Sequence, residues 1–175
     1  MSNPFIKTLT LGASFLALAL TTGAARPSVA TTEKKPVITV YKDAACGCCK
    51  SWIEHLIKHG YRVDAKDTPD MTDIKRSLGV PERLSACHTA VVNGYLIEGH
   101  VPAADIARLL KEKPKVAGLA VPGMPMGSPG MEGPRTQRYQ VLSFATAGKT
   151  KICARHSARW PEYRPSDRDS QVEGP

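Results

Sequence analysis

Three cysteines stand within four residues in Cys46-Gly47-Cys48-Cys49, and this cluster constrains the fold more than any other feature of the chain. A β-branched, apolar run at 37–42 precedes the cluster and an amphipathic pattern at 48–59 follows it. The two patterns predict a strand that leads into a helix, with the thiols at the helix N-terminus. Free N–H groups and the helix dipole stabilise thiolate there, and thiolate is the form that binds metal or attacks a disulfide.

The cysteine count limits how these thiols pair. Three adjacent cysteines cannot all pair with one another, so at least one finds a partner elsewhere, binds a metal or stays free. The whole chain holds five cysteines, and an odd number leaves one thiol over. A structural disulfide alone therefore does not explain the cluster.

The N-terminus predicts export. Its apolar run, from about Leu9 to Leu20, is shorter than the roughly 20 residues of a membrane span and is followed by small residues. We expect a signal peptide over residues 1–30 with cleavage after Ala30, in preference to an uncleaved N-terminal anchor. The mature chain then lies in the oxidising periplasm, without stable membrane insertion.

Charge gives little support to a nucleic-acid partner. The formal net charge is +8 at pH 7, but the basic residues are scattered and aromatic residues make up 6% of the chain. Nucleic-acid surfaces concentrate basic and aromatic side chains, so no nucleic-acid binding is expected. We attribute the positive charge to solubility.

Beyond a polar linker at 31–36, periodicity and turn signals predict strand, helix, strand, helix, strand, strand, helix. The predicted bounds are 37–42, 48–59, 61–66, 70–78, 90–92, 95–98 and 102–113. Asn93-Gly94 is a strong signal for a two-residue hairpin turn. This order predicts an α/β, thioredoxin-like domain over residues 37–154, with a mixed sheet flanked by helices.

The C-terminal part of the chain changes in composition. Residues 121–134 hold four Pro, four Gly and three Met, which predicts an irregular Met/Gly/Pro-rich loop. The segments 140–146 and 150–154 predict a last hairpin. The polar residues 155–175 contain few aliphatic side chains, and we expect them to form a largely disordered tail.

The predicted fold brings further ligands to the cysteine cluster, because the loop that enters the hairpin strand packs opposite the N-terminus of the first helix. Thiolates and thioethers favour copper(I) and other soft ions, whereas imidazole also suits copper(II) and zinc. Methionines in a loop that cannot be a core element add thioethers, which zinc uses little. The predicted metal ligands are Cys46, Cys48, Cys49, Cys87, His88, Met124, Met126 and Met131.

Four other residues have competing interpretations. His100 is either a turn residue or a group that supports the metal ligands. His55 and His59 lie four apart on the first helix, and a solvated helix face is preferred to a ligand role. Cys153 lies in the predicted last strand, where a small buried residue is the preferred interpretation.

A thiol-disulfide oxidoreductase is the main alternative, because Cys46 and Cys49 form a Cys-x-x-Cys pair. Cys48 inside the motif weighs against it, as does the absence of proline at 86–90, where thioredoxins carry a cis-proline loop. A copper oxidoreductase, whose cysteines alternate between metal-bound and disulfide states, also stays open. A metal-binding protein is preferred, and no catalytic residue is assigned.

Several separate motifs resemble the CopG-type family of exported bacterial metal-binding proteins, long catalogued as a domain of unknown function. The motifs lie at 41–52, 85–90, 97–106 and 118–132, and the resemblance covers about residues 36–153. It implies a thioredoxin-like periplasmic protein, often encoded with copper-resistance systems, that binds copper through its cysteines and couples binding to copper or thiol redox change.

Carried onto this chain, the resemblance makes Cys46, Cys48, Cys49 and Cys87 the core copper ligands. His88 and the three loop methionines become auxiliary ligands. Four thiolates can bridge several copper(I) ions, so the resemblance is compatible with a small multinuclear cluster. Copper ions and other periplasmic copper-tolerance proteins are the implied partners.

Overall fold

The computed structural model describes residues 35–146 and 148–157. For Ser157 it describes the backbone but not the side chain. Its elements are β1 Val37–Lys42, α1 Gly47–Lys58, β2 Arg62–Asp67, α2 Met71–Leu78, β3 Thr89–Val92, β4 Tyr95–Glu98, α3 Ala103–Glu112, β5 Gly118–Ala120, β6 Arg138–Phe144 and β7 Thr150–Ser157, with a 3₁₀ turn at Glu82–Leu84. The predicted signal peptide, most of the linker and the tail from residue 158 lie outside the described residues.

All strands in the described part of the chain belong to one mixed sheet in the order β2-β1-β3-β4-β5-β6-β7. β1 is parallel to β2 and antiparallel to β3, and β3 and β4 form an antiparallel hairpin. β5 returns parallel to β4, and β6 and β7 continue the sheet antiparallel. The mixed sheet flanked by helices confirms the predicted α/β, thioredoxin-like fold class.

Local sequence signals account for the ends of these elements. Asn93 and Gly94 both adopt positive φ, 48° and 81°, as a type I′ hairpin turn requires. The Asp70 side chain accepts the Asp73 N–H at 3.0 Å and caps α2. Each of the seven elements predicted up to residue 113 forms, with bounds within one residue of the prediction.

The two faces of the sheet carry separate apolar clusters because alternate strand residues point to opposite sides. Ile97 belongs to the larger cluster with Trp52 of α1 and Ile106 of α3. Its neighbour Leu96 belongs to the second cluster, with Val80 beyond α2. Helices therefore cover both faces, and α1 and α3 share one of them. Among the described residues, no helix is long and apolar enough to cross a membrane.

Two parts of the C-terminal half differ from the prediction. β5 was missed because its three residues, Gly-Leu-Ala, carry no β-branched signal. Gly118 is required there, since a Cβ would lie 1.9 Å from the Leu96 carbonyl oxygen. β7 also extends to Ser157, beyond the predicted domain end at residue 154. His156 explains the extension, because its Nε2 lies 2.7 Å from the buried Asp105 carboxylate.

Candidate metal centre

The cysteine motif forms the first turn of α1, as the sequence predicts. Cys46 is the N-cap, and its Sγ accepts the backbone N–H of Cys49 at 3.3 Å. The following residue, Gly47, is the first of the helix. The sulfurs therefore lie beside the free N–H groups and the positive end of the helix dipole, a position that favours negative charge.

The four sulfurs of the motif and of Cys87 are in two chemical states, disulfide and free thiol. Cys46 and Cys49 form a disulfide, while Cys48 and Cys87 are free and half-buried. The Cys48 Sγ lies 3.5 Å from the Cys46 Sγ and 3.8 Å from the Cys87 Sγ. All four sulfurs lie within 4.8 Å of one another. The fold thus brings together the four predicted thiol ligands, two of which are oxidised in this state.

A buried network holds the segment that carries Cys87. The Glu98 carboxylate accepts hydrogen bonds from the Ala86 N–H and the Thr89 hydroxyl, each at 2.6 Å, and pairs with the Lys75 ammonium group. The Glu98 side chain is fully buried, and burial raises its pKa whereas Lys75 lowers it. Because the Ala86 amide immediately precedes Cys87, this network fixes the backbone that delivers the thiol.

His100 points one ring nitrogen at Cys87. Its Nδ1 lies 2.8 Å from the Pro129 carbonyl oxygen, which only accepts hydrogen bonds, so Nδ1 carries the proton. Its Nε2 then presents a lone pair 3.0 Å from the Cys87 Sγ. His100 thus contacts Cys87 directly, a position that agrees with the supporting role considered for it in the sequence.

His88 lies on the other side of the same thiol. Its Nδ1 is 3.3 Å from the Cys87 Sγ, and its ring lies 4.3 Å from the Trp52 ring, centre to centre. Its Nε2 is buried and has no hydrogen-bond partner. No other buried side-chain nitrogen or oxygen within the described ranges lacks one. A buried polar atom without a partner is costly, so this nitrogen fits an absent ligand.

The electrostatics favour neutral groups in this state. Burial raises the pKa of Cys87 to about 12, and Cys48 adds to the rise while Lys75 opposes it. Burial also lowers the pKa of His88 well below 6.5, and lowers that of His100. Both imidazoles are therefore neutral near pH 7, the form that binds metals. Cys87 must lose its proton when it binds one.

The Met/Gly/Pro loop packs directly on the cysteine motif. Gly130 has φ +83°, and a Cβ there would lie 2.7 Å from both the Cys48 carbonyl oxygen and the Trp52 nitrogen. The absence of a side chain at 130 therefore allows the loop to contact the first turn of α1. Met126 and Met131 are half-buried in this loop, and Met124 is 54% exposed. Their role as ligands stays a prediction.

Known proteins share the segments that build this centre. A family profile described as protein of unknown function, DUF411, matches residues 84–131. Two solved structures of a copper resistance protein copG, Form 2 and Form 1, are each 47% identical and cover 70% of this chain. The matches span 99% and 98% of those chains, with TM-scores of 0.67 and 0.66. The chain belongs to the CopG family.

This membership confirms the resemblance inferred from the cysteine, histidine and methionine motifs. A search of curated proteins finds no match. The profile match lies entirely outside the Cys46–Cys49 motif and covers the segment from the 3₁₀ turn to Met131. In a CopG-family chain, the part that carries Cys87, both buried histidines and the loop is therefore recognisable without the cysteine cluster.

Two residues outside the centre differ from the expected arrangement. Cys153 is exposed on β7 instead of buried, so the preferred interpretation of a buried small residue is wrong. His55 is half-buried rather than fully solvated, because its Nε2 accepts the Ala103 N–H at the start of α3, at 3.1 Å. His59 is exposed and stacks on His55 with ring centres 4.3 Å apart.

The His55 contact predicts a pH dependence of stability. Burial lowers the pKa of His55 below 6.5, with His59 and Lys58 adding to the effect and Glu132 opposing it. The unfolded state then binds more protons, so stability falls as the pH drops below about 6.5. Between pH 7.5 and 5.5, urea unfolding should show a steeper loss for the native chain than for His55→Gln. Equal slopes would contradict this role.

The buried network is the part of the centre that the sequence analysis missed. Glu98 and Lys75 lie 23 positions apart, on a strand and on a helix, and nothing local links them. One signal was available in the sequence. Glu98 follows Leu96 and Ile97 in a strand that is buried throughout its last three residues, where a carboxylate requires a partner.

Proposed function

We propose that this CopG-family chain is an exported copper-binding protein of copper tolerance, which binds copper(I) through Cys46, Cys48, Cys49 and Cys87. The observation that carries the proposal is the convergence of these four sulfurs within 4.8 Å. The similarity to a copper resistance protein supports copper as the cargo. Copper ions and other periplasmic copper-tolerance proteins are the proposed partners.

The donor set selects copper(I) over harder ions. Four thiolates satisfy a soft ion, and thiolate sulfur can bridge metals, so a small multinuclear cluster fits this set. The Nε2 lone pair of His100 adds a nitrogen donor 3.0 Å from the Cys87 Sγ, and the unpartnered Nε2 of His88 is the second proposed nitrogen donor. Met124, Met126 and Met131 are the proposed thioether auxiliaries in the loop that covers the motif.

The disulfide makes copper binding depend on the thiol state. Cys46 and Cys49 provide no thiolate while they are joined, so the full set requires reduction of that bond by two electrons. The two resulting thiolates, with Cys48 and Cys87, then complete the site. Copper capacity in the periplasm therefore depends on a thiol or other reductant as well as on copper.

Metal content and thiol titration test the proposal. The mature chain is reduced without oxygen, loaded with copper(I) and freed of excess metal, and its copper and reactive thiols are counted. We expect at least about one copper per chain and protection of the clustered thiols from alkylation. A fully reduced, folded protein that retains no copper would overturn the proposal.

A thiol-disulfide oxidoreductase is the second candidate, and the Cys46–Cys49 disulfide at a helix N-terminus favours it. Two observations oppose it. Cys48, beside the disulfide, is a thiol that can attack it, and no cis peptide bond occurs in the described part of the chain. Reduction of a model disulfide substrate with turnover, by a protein that binds no copper, would make this the better function.

Replacement of the loop thioethers tests their role. Leucine is close to methionine in volume but has no sulfur, so the double variant Met124→Leu and Met126→Leu preserves packing. We expect copper(I) affinity to fall about 10-fold, the lower end of the effect of losing a group that supports a metal site. Zinc affinity should not change. Equal losses for both metals would mean that the loop acts through packing.

A further inference from the structure

A groove of about 810 Å³ lies at the β6–β7 end of the sheet, and the described residues that line it include none of the four clustered cysteines. Pro122 and Pro125 of the Met/Gly/Pro loop line it together with residues of β6 and β7. Its volume is in the range of ligand-binding clefts, about 300–1,000 Å³. A molecule held in this groove would therefore contact the loop that packs on the cysteine motif, without contacting the clustered sulfurs.

Two arginines line the groove from one face of the sheet. The register of β6 and β7 places Arg155 opposite Gln140 and Ser157 opposite Arg138, so the two arginines are diagonal neighbours. Diagonal neighbours on one face of an antiparallel pair lie about 7–8 Å apart. Alternate strand residues point to the same side, so Leu142 adds an apolar group to this face.

Neither arginine has a carboxylate partner within the described ranges. Both side chains are exposed, and neither guanidinium group belongs to an ion pair there. The described lining of the groove also contains no acidic residue. By contrast, Arg76 and Arg108 each pair with an aspartate three positions earlier. Neighbouring like charges repel each other, so an anion from another molecule would stabilise the arginine pair.

The histidine beside the groove does not bring a free carboxylate to it. His156 lines the groove, and its ring stacks on the Tyr139 ring with centres 5.1 Å apart. Its Nε2 lies 2.7 Å from the carboxylate of Asp105, and Arg108 pairs with the same carboxylate at 2.6 Å. Asp105 is buried and already has these two partners. Its charge is therefore neutralised by its own neighbours rather than by the two arginines of the groove.

The lining favours an acidic chain segment over a bare anion. The two prolines and Leu142 offer apolar contacts, and the Gln140 amide can donate to and accept from main-chain groups. Alternate residues of an extended segment point to the same side and lie about 6.6–6.8 Å apart. This spacing is close to that of the two arginines. Two acidic residues separated by one other residue can therefore each reach one guanidinium group.

We propose that this groove is a docking site for an acidic, extended segment of a partner protein. Two carboxylates of the segment, in an acid-x-acid pattern, pair with Arg138 and Arg155. An apolar side chain two residues further along packs on Leu142 and the proline wall. The inference goes beyond the proposed function, because it requires neither copper nor any of the clustered sulfurs.

A peptide titration tests the site on the copper-free mature chain with its disulfide intact. The probe is the capped peptide Glu-Ser-Glu-Ser-Leu, and ¹⁵N-labelled protein is followed by amide NMR shifts. We expect saturable shifts confined to 121–125, 138–142 and 154–156. The matched peptide Glu-Glu-Ser-Ser-Leu has the same composition and charge, but its two carboxylates point to opposite sides. It should bind about 3-fold more weakly, as expected when one exposed ion pair is lost.

Removal of the arginines gives the matching test on the protein. The double variant Arg138→Gln and Arg155→Gln should weaken peptide binding about 10-fold, the loss of two exposed ion pairs. The control is Arg62→Gln, which removes an exposed arginine from β2 at the opposite edge of the sheet. Its affinity for the peptide should equal that of the native chain. Unchanged amide shifts away from the groove show that each variant is folded.

Three results would overturn the proposal. Shifts of the native protein that map outside the groove would place the site elsewhere, and this readout depends on no variant. Equal affinity for the two peptides would show attraction by charge without recognition of the acid-x-acid pattern. Free glutarate that binds as tightly as the peptide would indicate a site for small dicarboxylates instead of a protein segment. Copper(I) retention is measured separately, so failure of the docking site leaves the proposed function untouched.

Discussion

Replacing Cys48 by serine should lower the copper(I) affinity of the reduced protein by more than about 100-fold, beyond the usual loss from a group that only supports a metal site. The Cys48 sulfur lies between the others, 3.5 Å from Cys46 and 3.8 Å from Cys87. A serine hydroxyl is a hard donor that copper(I) does not favour. Competition with a copper(I) chelator under reducing conditions measures the change.

The matched control for this variant is Cys153→Ser, which removes an exposed thiol away from the motif. Its copper(I) affinity should equal that of the native chain. Cys48→Ser leaves Cys46 and Cys49 in place, so any thiol-disulfide exchange by that pair should persist. A Cys48→Ser protein with native copper affinity and no exchange activity would reverse our preference between the two functions.

Replacing Glu98 by alanine should destabilise the protein by about 3–5 kcal/mol, the cost of breaking a buried ion pair from one side. The change leaves the Lys75 ammonium group, 11% exposed, without its carboxylate, and frees the Ala86 N–H and the Thr89 hydroxyl. Urea unfolding of the oxidised protein measures the loss. Copper affinity should also fall, because the segment that carries Cys87 loses its anchor.

Two companion variants make the Glu98 prediction specific. Glu112→Ala removes an exposed carboxylate from α3 and should change stability by less than about 0.5 kcal/mol. Glu98→Leu combined with Lys75→Met replaces the ion pair by apolar groups and should recover much of the loss. A Glu98→Ala protein within about 1 kcal/mol of the native chain would show that the network does not stabilise the fold.

The fold could be predicted from sequence wherever a local pattern was strong. Helical periodicity, the Asn93-Gly94 turn and β-branched runs placed the elements up to residue 113 within one residue. β5 could not be predicted because Gly-Leu-Ala contains no β-branched or aromatic residue and forms a strand only where β4 and β6 flank it. The end of β7 could not be predicted because the sequence from residue 155 onward is polar and typical of a tail. The contact of His156 with Asp105, which holds this segment in the sheet, is tertiary.

In the candidate centre, too, residues with a local sequence pattern could be predicted and residues placed by tertiary contacts could not. The cysteines were recognisable because they are adjacent, and the fold class then implied that Cys87 and His88 face them. The contact of His100 with Cys87 depends on a carbonyl of the irregular loop, and the Glu98 network depends on tertiary packing. Neither has a period or spacing in the sequence. The Cys46–Cys49 disulfide has the Cys-x-x-Cys spacing noted in the sequence, but that spacing alone left open whether the two sulfurs are joined or bind metal.

The hydrogen bond from His100 to the Pro129 carbonyl has an evolutionary consequence. A main-chain oxygen belongs to every residue type, so no substitution at position 129 deletes the group that orients this imidazole. Only a change in the path of the loop can move it. Insertions and deletions between Val121 and Gly130 should therefore alter the orientation of the ring far more than point changes do, and loop length becomes the quantity on which selection acts.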